Sequence, residues 1–287
     1  MGQRSGDARN AIMPAVYPFV GSRADAPANE LPPMSSRINQ SRTSWPVLLA
    51  RSLALALLPS SCALCGTVCG GAVCAPCQAQ YLAVAGPRCR RCANPLGALD
   101  AQWECGACQS HQPAYDATIA AADYASPLDQ LVLHLKFGGG LALAPWFSRA
   151  LQAAVLAAIA RQRFELPNVL CPVPLGPQRL VGRGFNQALE IARPLSKALG
   201  IPLRAALAIR ALDTVAQSSV APAERKKNMR NAFIVAPDAL ALVRGQHIGV
   251  VDDVMTSGAT LHELAATFKR FGAARVSNFV FARTPPH

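Results

Sequence analysis

The stretch Ile248-Gly249-Val250-Val251-Asp252-Asp253-Val254-Met255-Thr256-Ser257-Gly258-Ala259-Thr260-Leu261 decides the fold. Ile248 to Val251 is a short apolar run of the kind that forms a buried strand. Two adjacent carboxylates follow, then a loop of small and hydroxyl-bearing residues. A helical apolar pattern then runs from Leu261 to about Phe271. A loop entering a helix N-terminus turns free backbone N–H groups outward, and the helix dipole favours an anion there. Thr256, Ser257 and Thr260 add hydroxyl donors, and Gly258 lets the backbone come close to a ligand. Such a loop can hold a phosphate. A carboxylate would repel that phosphate but accepts hydrogen bonds from sugar hydroxyls. Together these parts describe a site for a ribose 5-phosphate. A plain strand-to-helix turn with an acidic cap needs one such residue and leaves the others without a reason.

Working outward, Ala117 to Tyr124 reads as a strand, and Pro127 to Phe137 as a helix with Leu128, Leu131, Val132 and Leu135 on one face. Lys136, Phe137 and Gly138-Gly139-Gly140 close that helix. Leu141 to Phe164 reads as a long Ala-rich helix, and Asn168 to Val173 as a compact strand with Cys171 as a core residue. Residues 174 to 187 carry Gly and Pro and read as a loop, with Asn186 capping a helix that runs to Leu199. Arg179 and Arg183 on that loop point cations towards the carboxyl ends of the strands, where open α/β sheets bind ligands. A strand is expected within Leu203 to Leu212, and a last one over Arg275 to Ala282. Strands alternating with helices imply a mainly parallel α/β sheet.

The 287 residues carry a formal net charge of +12, which favours a polyanionic partner. Sparse aromatics, 6% of the chain, argue against a platform that stacks single-stranded bases. Residues 1–45 lack a sustained period and are expected to be disordered. The apolar run Pro46 to Pro59 is short and broken by Arg51, so no membrane insertion is expected from it. It reads as a helix belonging to a small module that extends to residue 113, ahead of a larger domain over 114–287.

Eight of the ten cysteines stand in four Cys-x-x-Cys pairs: Cys62 and Cys65, Cys74 and Cys77, Cys89 and Cys92, Cys105 and Cys108. Each pair offers two thiolates on one side of a knuckle, half of a tetrahedral zinc site. Four halves make two Cys₄ sites. Sequential pairing is the simplest arrangement, and a crossed one fits the spacing too. Closed Cys₄ sites leave no open position, so the expected role of Zn²⁺ is structural. Thiolate ligands suit a reducing compartment, and a cytoplasmic location is expected. No βαβ pattern surrounds the pairs, which argues against thioredoxin-like redox chemistry. Cys69 is left over as a bystander.

The stretch 248–261 closely resembles the phosphoribosyl-pyrophosphate (PRPP) loop of type I phosphoribosyltransferases. The resemblance implies that Asp252 and Asp253 hold the ribose 2- and 3-hydroxyls. It implies that Thr256, Ser257, Gly258, Ala259 and Thr260 hold the 5-phosphate. Purine-salvage members carry Asp where this chain has Thr256, so the likeness does not extend to purine salvage. Over residues of about 50 to 283 the chain resembles the ComF (ComFC) family of competence-associated proteins. The likeness rests on the double Cys-x-x-Cys module, on Arg179 with Leu180 to Gln187, on Gln217 with Glu224-Arg225 and Asn228 to Phe233, and on the PRPP loop.

The resemblance implies a type I phosphoribosyltransferase-like parallel sheet flanked by helices, preceded by a Cys₄ zinc-ribbon module. It implies PRPP binding and a part in natural competence, with Mg²⁺ accompanying PRPP and a competence helicase as partner. If catalytic, the protein displaces pyrophosphate from C1 of PRPP, with Arg179 and Arg183 on the pyrophosphate side. The competing reading is a non-enzymatic, zinc-dependent adaptor for single-stranded DNA. In it the cations Arg225, Lys226, Lys227 and Arg230 grip phosphates.

Overall fold

The computed structural model describes residues 60–82, 86–97, 104–161, 164–211 and 232–285. The chain divides into two compact units, Met1–Leu48 and Leu49–His287. Every described residue belongs to the second. The N-terminal extension, the helix expected over 46–59, Gln217 and the cations Arg225, Lys226, Lys227 and Arg230 lie outside the described residues.

The cysteine region holds the paired strands β1 (Ser60–Ser61) and β2 (Val68–Cys69) and the short helices α1 (Ala75–Tyr81) and α2 (Gly106–Ser110). Then come β3 (Ala117–Asp123), α3 (Leu128–Phe137), a 3-10 turn over Leu141–Leu143, α4 (Ala144–Ala160) and β4 (Val169–Pro172). They are followed by α5 (Pro177–Arg183), α6 (Gln187–Leu199), β5 (Ala208–Arg210) and β6 (Phe233–Val235). A short helix α7 (Leu240–Val243) leads to β7 (His247–Met255), α8 (Ala259–Arg270) and β8 (Arg275–Arg283).

Four strands form one sheet in the order β3-β8-β7-β4, every neighbouring pair parallel. The expected parallel α/β sheet is thus present. A separate antiparallel pair joins β5 to β6. Burial on both faces explains the composition of the central strands. Ile248, Val250, Val276 and Val280 pack with Leu261, Leu264 and Phe268 of α8. Val251, Phe279 and Phe281 pack with Leu135, Phe147, Leu151, Ile191 and Leu195 from α3, α4 and α6. The rings of Phe147 and Phe281 stack with centroids 3.9 Å apart. Gly249 sits where β7 is most tightly covered. A Cβ there would come within 2.6 Å of Leu170 and Phe279 and 2.7 Å of Pro167.

The helix reading over Leu141–Ala160 has mean hydropathy 1.3, and by length and composition it could cross a membrane. Its Trp146, Phe147, Leu151 and Val155 are buried in the core instead.

Three boundaries differ from the sequence reading. The strand expected to stop at Val251 continues through both aspartates to Met255, because its register with β8 persists to Met255 opposite Arg283. The long helix begins at Ala144 after a 3-10 turn and ends at Ala160. Residues 174 to 187, read as a loop, contain α5. Pro177 suits the first helical position, where a missing N–H costs nothing, and Gly184 ends the helix in the left-handed region at φ 79°.

The sheet's first edge does not stand open. The Thr118 N–H donates to the Arg90 carbonyl at 3.0 Å, and Arg88 Nη2 pairs with Asp123 at 2.8 Å. The second cysteine knuckle therefore covers β3, an edge strand of the sheet.

Candidate functional site

Parallel strands bring their carboxyl ends to one edge, and β7 delivers Asp252 and Asp253 there. Alternation along a strand sends adjacent side chains to opposite faces. Asp252 accordingly opens onto a small pocket of about 40 Å³ lined by Asp252 and residues 254–261. Asp253 turns the other way and is buried. Lys136 Nζ, from α3, lies 2.8 Å from its Oδ2 in an ion pair. That contact lies off hydrogen-bond geometry, since Oδ2 counts no such partner. Gln187 Nε2, from the first turn of α6, reaches Asp253 Oδ1 at 3.5 Å.

Burial pushes the Asp252 carboxyl well above its ordinary range, and the Asp253 charge beside it adds to the effect. Its Oδ1 accepts from the Asp253 N–H at 2.9 Å. Two carboxylates at one strand end repel each other, and Lys136 offsets part of that repulsion.

The loop enters α8 as the sequence implies. Thr256, Ser257 and Ala259 are exposed, Thr260 is half-buried and Gly258 is buried. Gly258 caps α8 at φ 78° and ψ 4°, a conformation that favours glycine. A Cβ on it would come within 2.6 Å of Met255 Cε and 3.0 Å of Tyr115 Oη. The Ala259 N–H turns to Ser257 Oγ at 3.4 Å. Among the described residues, the Thr256 and Thr260 hydroxyls have no protein partner. The first turn of a helix also leaves N–H groups without intrahelical acceptors. The loop is therefore a set of unspent donors around a carboxylate-edged pocket.

The two arginines expected beside the site differ. Arg179 is exposed on α5. Arg183, at the end of α5, is half-buried, and burial lowers its guanidinium below the usual value. Its Nη1 donates to Gln187 Oε1 at 2.6 Å, and its plane lies 5.1 Å from the Phe137 ring centroid. A chain of contacts thus runs from Phe137 through Arg183 and Gln187 to Asp253, and back through Lys136 to α3.

Sequence reading gave Lys136 and Gln187 no role beyond their helices. The signal was available in part. Gly138 and Gly140 follow Lys136, and a Cβ on either would come within 2.4 Å of the His134 ring. A triglycine wrapped this closely around a side chain marks a built turn rather than a helix end alone. The third missed residue is Arg283, buried at the end of β8. It donates to the carbonyls of Met255, Thr256 and Thr284, directly under the loop.

The cysteines resolve into two quartets, Cys62, Cys65, Cys74 and Cys77, then Cys89, Cys92, Cys105 and Cys108. Within each, the sulfurs lie within 4.8 Å of one another. The pairing is sequential, and the crossed alternative is excluded. Backbone amides aim at sulfur in both: Cys74 N–H to Cys62 Sγ at 3.3 Å and Cys105 N–H to Cys89 Sγ at 3.4 Å. Burial pushes the Cys62 thiol up, but the amide donors outweigh it and bring it down to about 6. Amides that favour thiolate and four convergent sulfurs are what a structural zinc ion requires. Both sites fit Zn²⁺. Cys69 stands apart, its thiol directed at the Gly71 carbonyl at 3.0 Å. Among the described residues no other group of three or more metal-binding side chains occurs.

Two family models match the chain. Residues 186–286 match the phosphoribosyl transferase domain family, and residues 53–109 match the double zinc ribbon domain family. The chain is 35% identical over 196 residues to DNA utilization protein YhgH of Escherichia coli K12, covering 68% of this chain and 84% of that protein. It is 30% identical over 215 residues to Competence protein F of Haemophilus influenzae, covering 74% and 90%. To Competence protein ComFC of Bacillus subtilis it is 36% identical over 117 residues, covering 40% and 45%. Purine phosphoribosyltransferase from Pyrococcus horikoshii Ot3 overlays with a TM-score of 0.29 at 19% identity over 48% of this chain and 73% of that one, too loosely to carry residue roles across. With a parallel sheet, a phosphoribosyl transferase domain match, two cysteine quartets in a double zinc ribbon and near-full-length relatives of this kind, the chain belongs to the ComF family of competence and DNA-utilization proteins.

Proposed function

We propose that the protein binds PRPP at the carboxyl end of β7 and serves the handling of DNA taken up by the cell. One observation carries this reading. Asp252 and the donor-rich turn at the N-terminus of α8 line the same pocket. The 5-phosphate sits on the turn over Thr256 to Thr260, and the ribose hydroxyls donate to Asp252. Asp253, expected from the sequence to share that role, is buried on the other face against Lys136 and backs the site from there. Arg183 and Arg179 face the pyrophosphate side. The reaction open to such a site breaks the bond from C1 to the pyrophosphate oxygen and forms one from C1 to an acceptor. Positive charge develops on the ribose and negative charge on the leaving group. Asp252 stabilises the first and the arginines the second.

Mg²⁺ suits this site because its donors are all oxygens. Asp252, whose carboxylate lines the pocket, would hold the ion from the protein side, with phosphate oxygens and water completing its shell, as is usual for Mg²⁺ beside phosphates. It would supply charge neutralisation to the leaving pyrophosphate. Thiolate quartets favour a reducing compartment, so the reading places the protein in the cytoplasm, with α4 serving the core and not a bilayer.

The test is thermal unfolding with PRPP and Mg²⁺ at about a hundredfold above Kd, where a ligand of the folded state adds about 2.7 kcal/mol. We expect a rise in Tm for the wild type and none for Asp252→Asn/Asp253→Asn measured from its own baseline. No rise in the wild type at millimolar PRPP would remove the reading.

A single-stranded DNA adaptor is the second reading, favoured by the net charge of +12 and by relatives named for DNA utilization. It requires DNA affinity that falls steeply with salt and does not depend on PRPP.

A further inference from the structure

The buried guanidinium of Arg283 touches two structures that the sequence keeps far apart. Its Nε donates to the Cys92 carbonyl at 2.9 Å, inside the second cysteine quartet. Its Nη1 donates to Met255 O at 3.1 Å, to Thr256 O, and to Thr284 O at 2.6 Å. Met255 and Thr256 open the turn that feeds α8. Arg283 is 7% exposed, so water does not replace these bonds easily.

A second contact runs in parallel. Tyr115 is buried in the same cluster as Cys89, Cys92, Cys108 and Met255, and its hydroxyl sits under Gly258. The knuckle and the turn therefore share one packed interior, with Arg283 as its polar cross-brace. Among the described residues the first quartet has no such route. Cys62 and Cys77 belong to the cluster on the other face of the sheet.

We propose that Arg283 is a positioning residue that couples the second Cys₄ site to the phosphate turn, so that zinc in that site sets the turn's geometry and its affinity for a phosphorylated sugar. Zinc fixes the Cys89–Cys92 knuckle and with it the Cys92 carbonyl. That carbonyl holds the guanidinium plane, and the plane holds the carbonyls of Met255 and Thr256. Their amides and hydroxyls are then aimed before ligand arrives. Loss of zinc from this quartet frees the Cys92 carbonyl and loosens the turn. Zinc in the first quartet stabilises its own knuckle and leaves the turn unchanged. The affinity part of the proposal rests on the PRPP reading above.

The experiment combines Arg283→Gln and Arg283→Lys with Cys105→Ser in the second quartet and Cys74→Ser in the first, in the full chain. Zinc content and far-UV circular dichroism establish folding. Amide exchange over 255–258 reports the turn, and calorimetry with PRPP and Mg²⁺ reports affinity. Arg283→Gln should keep both zinc ions, speed exchange in the turn and weaken PRPP about tenfold, the loss of charged hydrogen bonds. Arg283→Lys, which keeps a buried cation but cannot span four carbonyls, should fold and fall between. Cys105→Ser should have the same two effects and add little to Arg283→Gln, a non-additivity that marks one shared route. Cys74→Ser should leave the exchange of 255–258 unchanged. Unchanged turn exchange in Arg283→Gln, or full additivity with Cys105→Ser, would overturn the proposal. If the wild type fails to bind PRPP, the ligand reading falls alone, and the exchange measurements still decide whether zinc and turn are coupled.

Discussion

At the residue scale, the site is built by setting two like charges at one strand end and treating them differently. Asp253 is buried against Lys136 and Gln187, and Asp252 is left to the pocket. The arrangement costs stability. Burial, then the neighbouring charge, raises the Asp252 carboxyl well above 3.8. A raised carboxyl is protonated in the folded chain at pH values where the unfolded chain has lost the proton. Its cost is therefore absent below about pH 3.8, grows as pH rises through the folded value, and is complete above it. Asp252→Asn removes that charge. The variant should unfold at a higher Tm than wild type at neutral pH, with the gap closing as pH falls towards 3.8, and should lose the PRPP-dependent shift. Calorimetric melts across that pH range check both. A variant less stable at neutral pH would show that the carboxylate is held by partners rather than strained.

At the element scale, β7 is the rigid arm that carries the site, and its rigidity depends on close cover. Gly249 has Leu170, Pro167 and Phe279 within 2.7 Å of where a Cβ would stand. Gly249→Ala should therefore destabilise the chain by about 1–3 kcal/mol, the cost of overpacking a close-fitting core. Denaturant unfolding would measure it, with the midpoint lowered and the slope unchanged. The same strand shows what was legible in the sequence. Its apolar run and the spacing of α8 announced strand and helix, because core faces impose periods of 2 and 3.6. The continuation through Asp252 and Asp253 was not legible, since polar residues in a row read as a strand's end. Pairing with β8 carries the backbone on to Met255. Helix α5 was hidden for a similar reason. Gly and Pro are read as breakers, yet Pro177 and Gly184 serve as its first residue and its stop.

At the scale of the whole molecule, the zinc ribbon is not a bead on a string. Its second knuckle covers the edge of β3 and shares a buried cluster with Tyr115, Met255 and Leu261. Closed thiolate sites contribute folding free energy directly. Stripping zinc with a chelator should then lower the Tm of the main unfolding transition by about 10 °C, beyond the melting of a separate small module. Differential scanning calorimetry checks it. A main transition unmoved by chelation would show that the sheet stands without the ribbon.

By itself the sequence determined the four Cys-x-x-Cys half-sites, the alternation that makes a parallel α/β sheet, and the acidic pair followed by a phosphate-ready turn. All of these are local patterns, while the grouping of the half-sites into quartets came from the fold. Metal ligation, strand and helix periodicity, and helix N-terminal donors each need residues within a few positions of one another. Only the tertiary structure decided that Asp252 and Asp253 part company, that Lys136 and Gln187 meet Asp253, and that Arg283 joins Cys92 to Thr256. Those contacts span from 28 to 191 positions along the chain where they involve Arg283 with Met255 and with Cys92. No local period encodes them. They exist because packing both faces of one sheet brings the end of β8, the knuckle and the phosphate turn to the same buried corner, where a buried guanidinium is kept only by the carbonyls it meets.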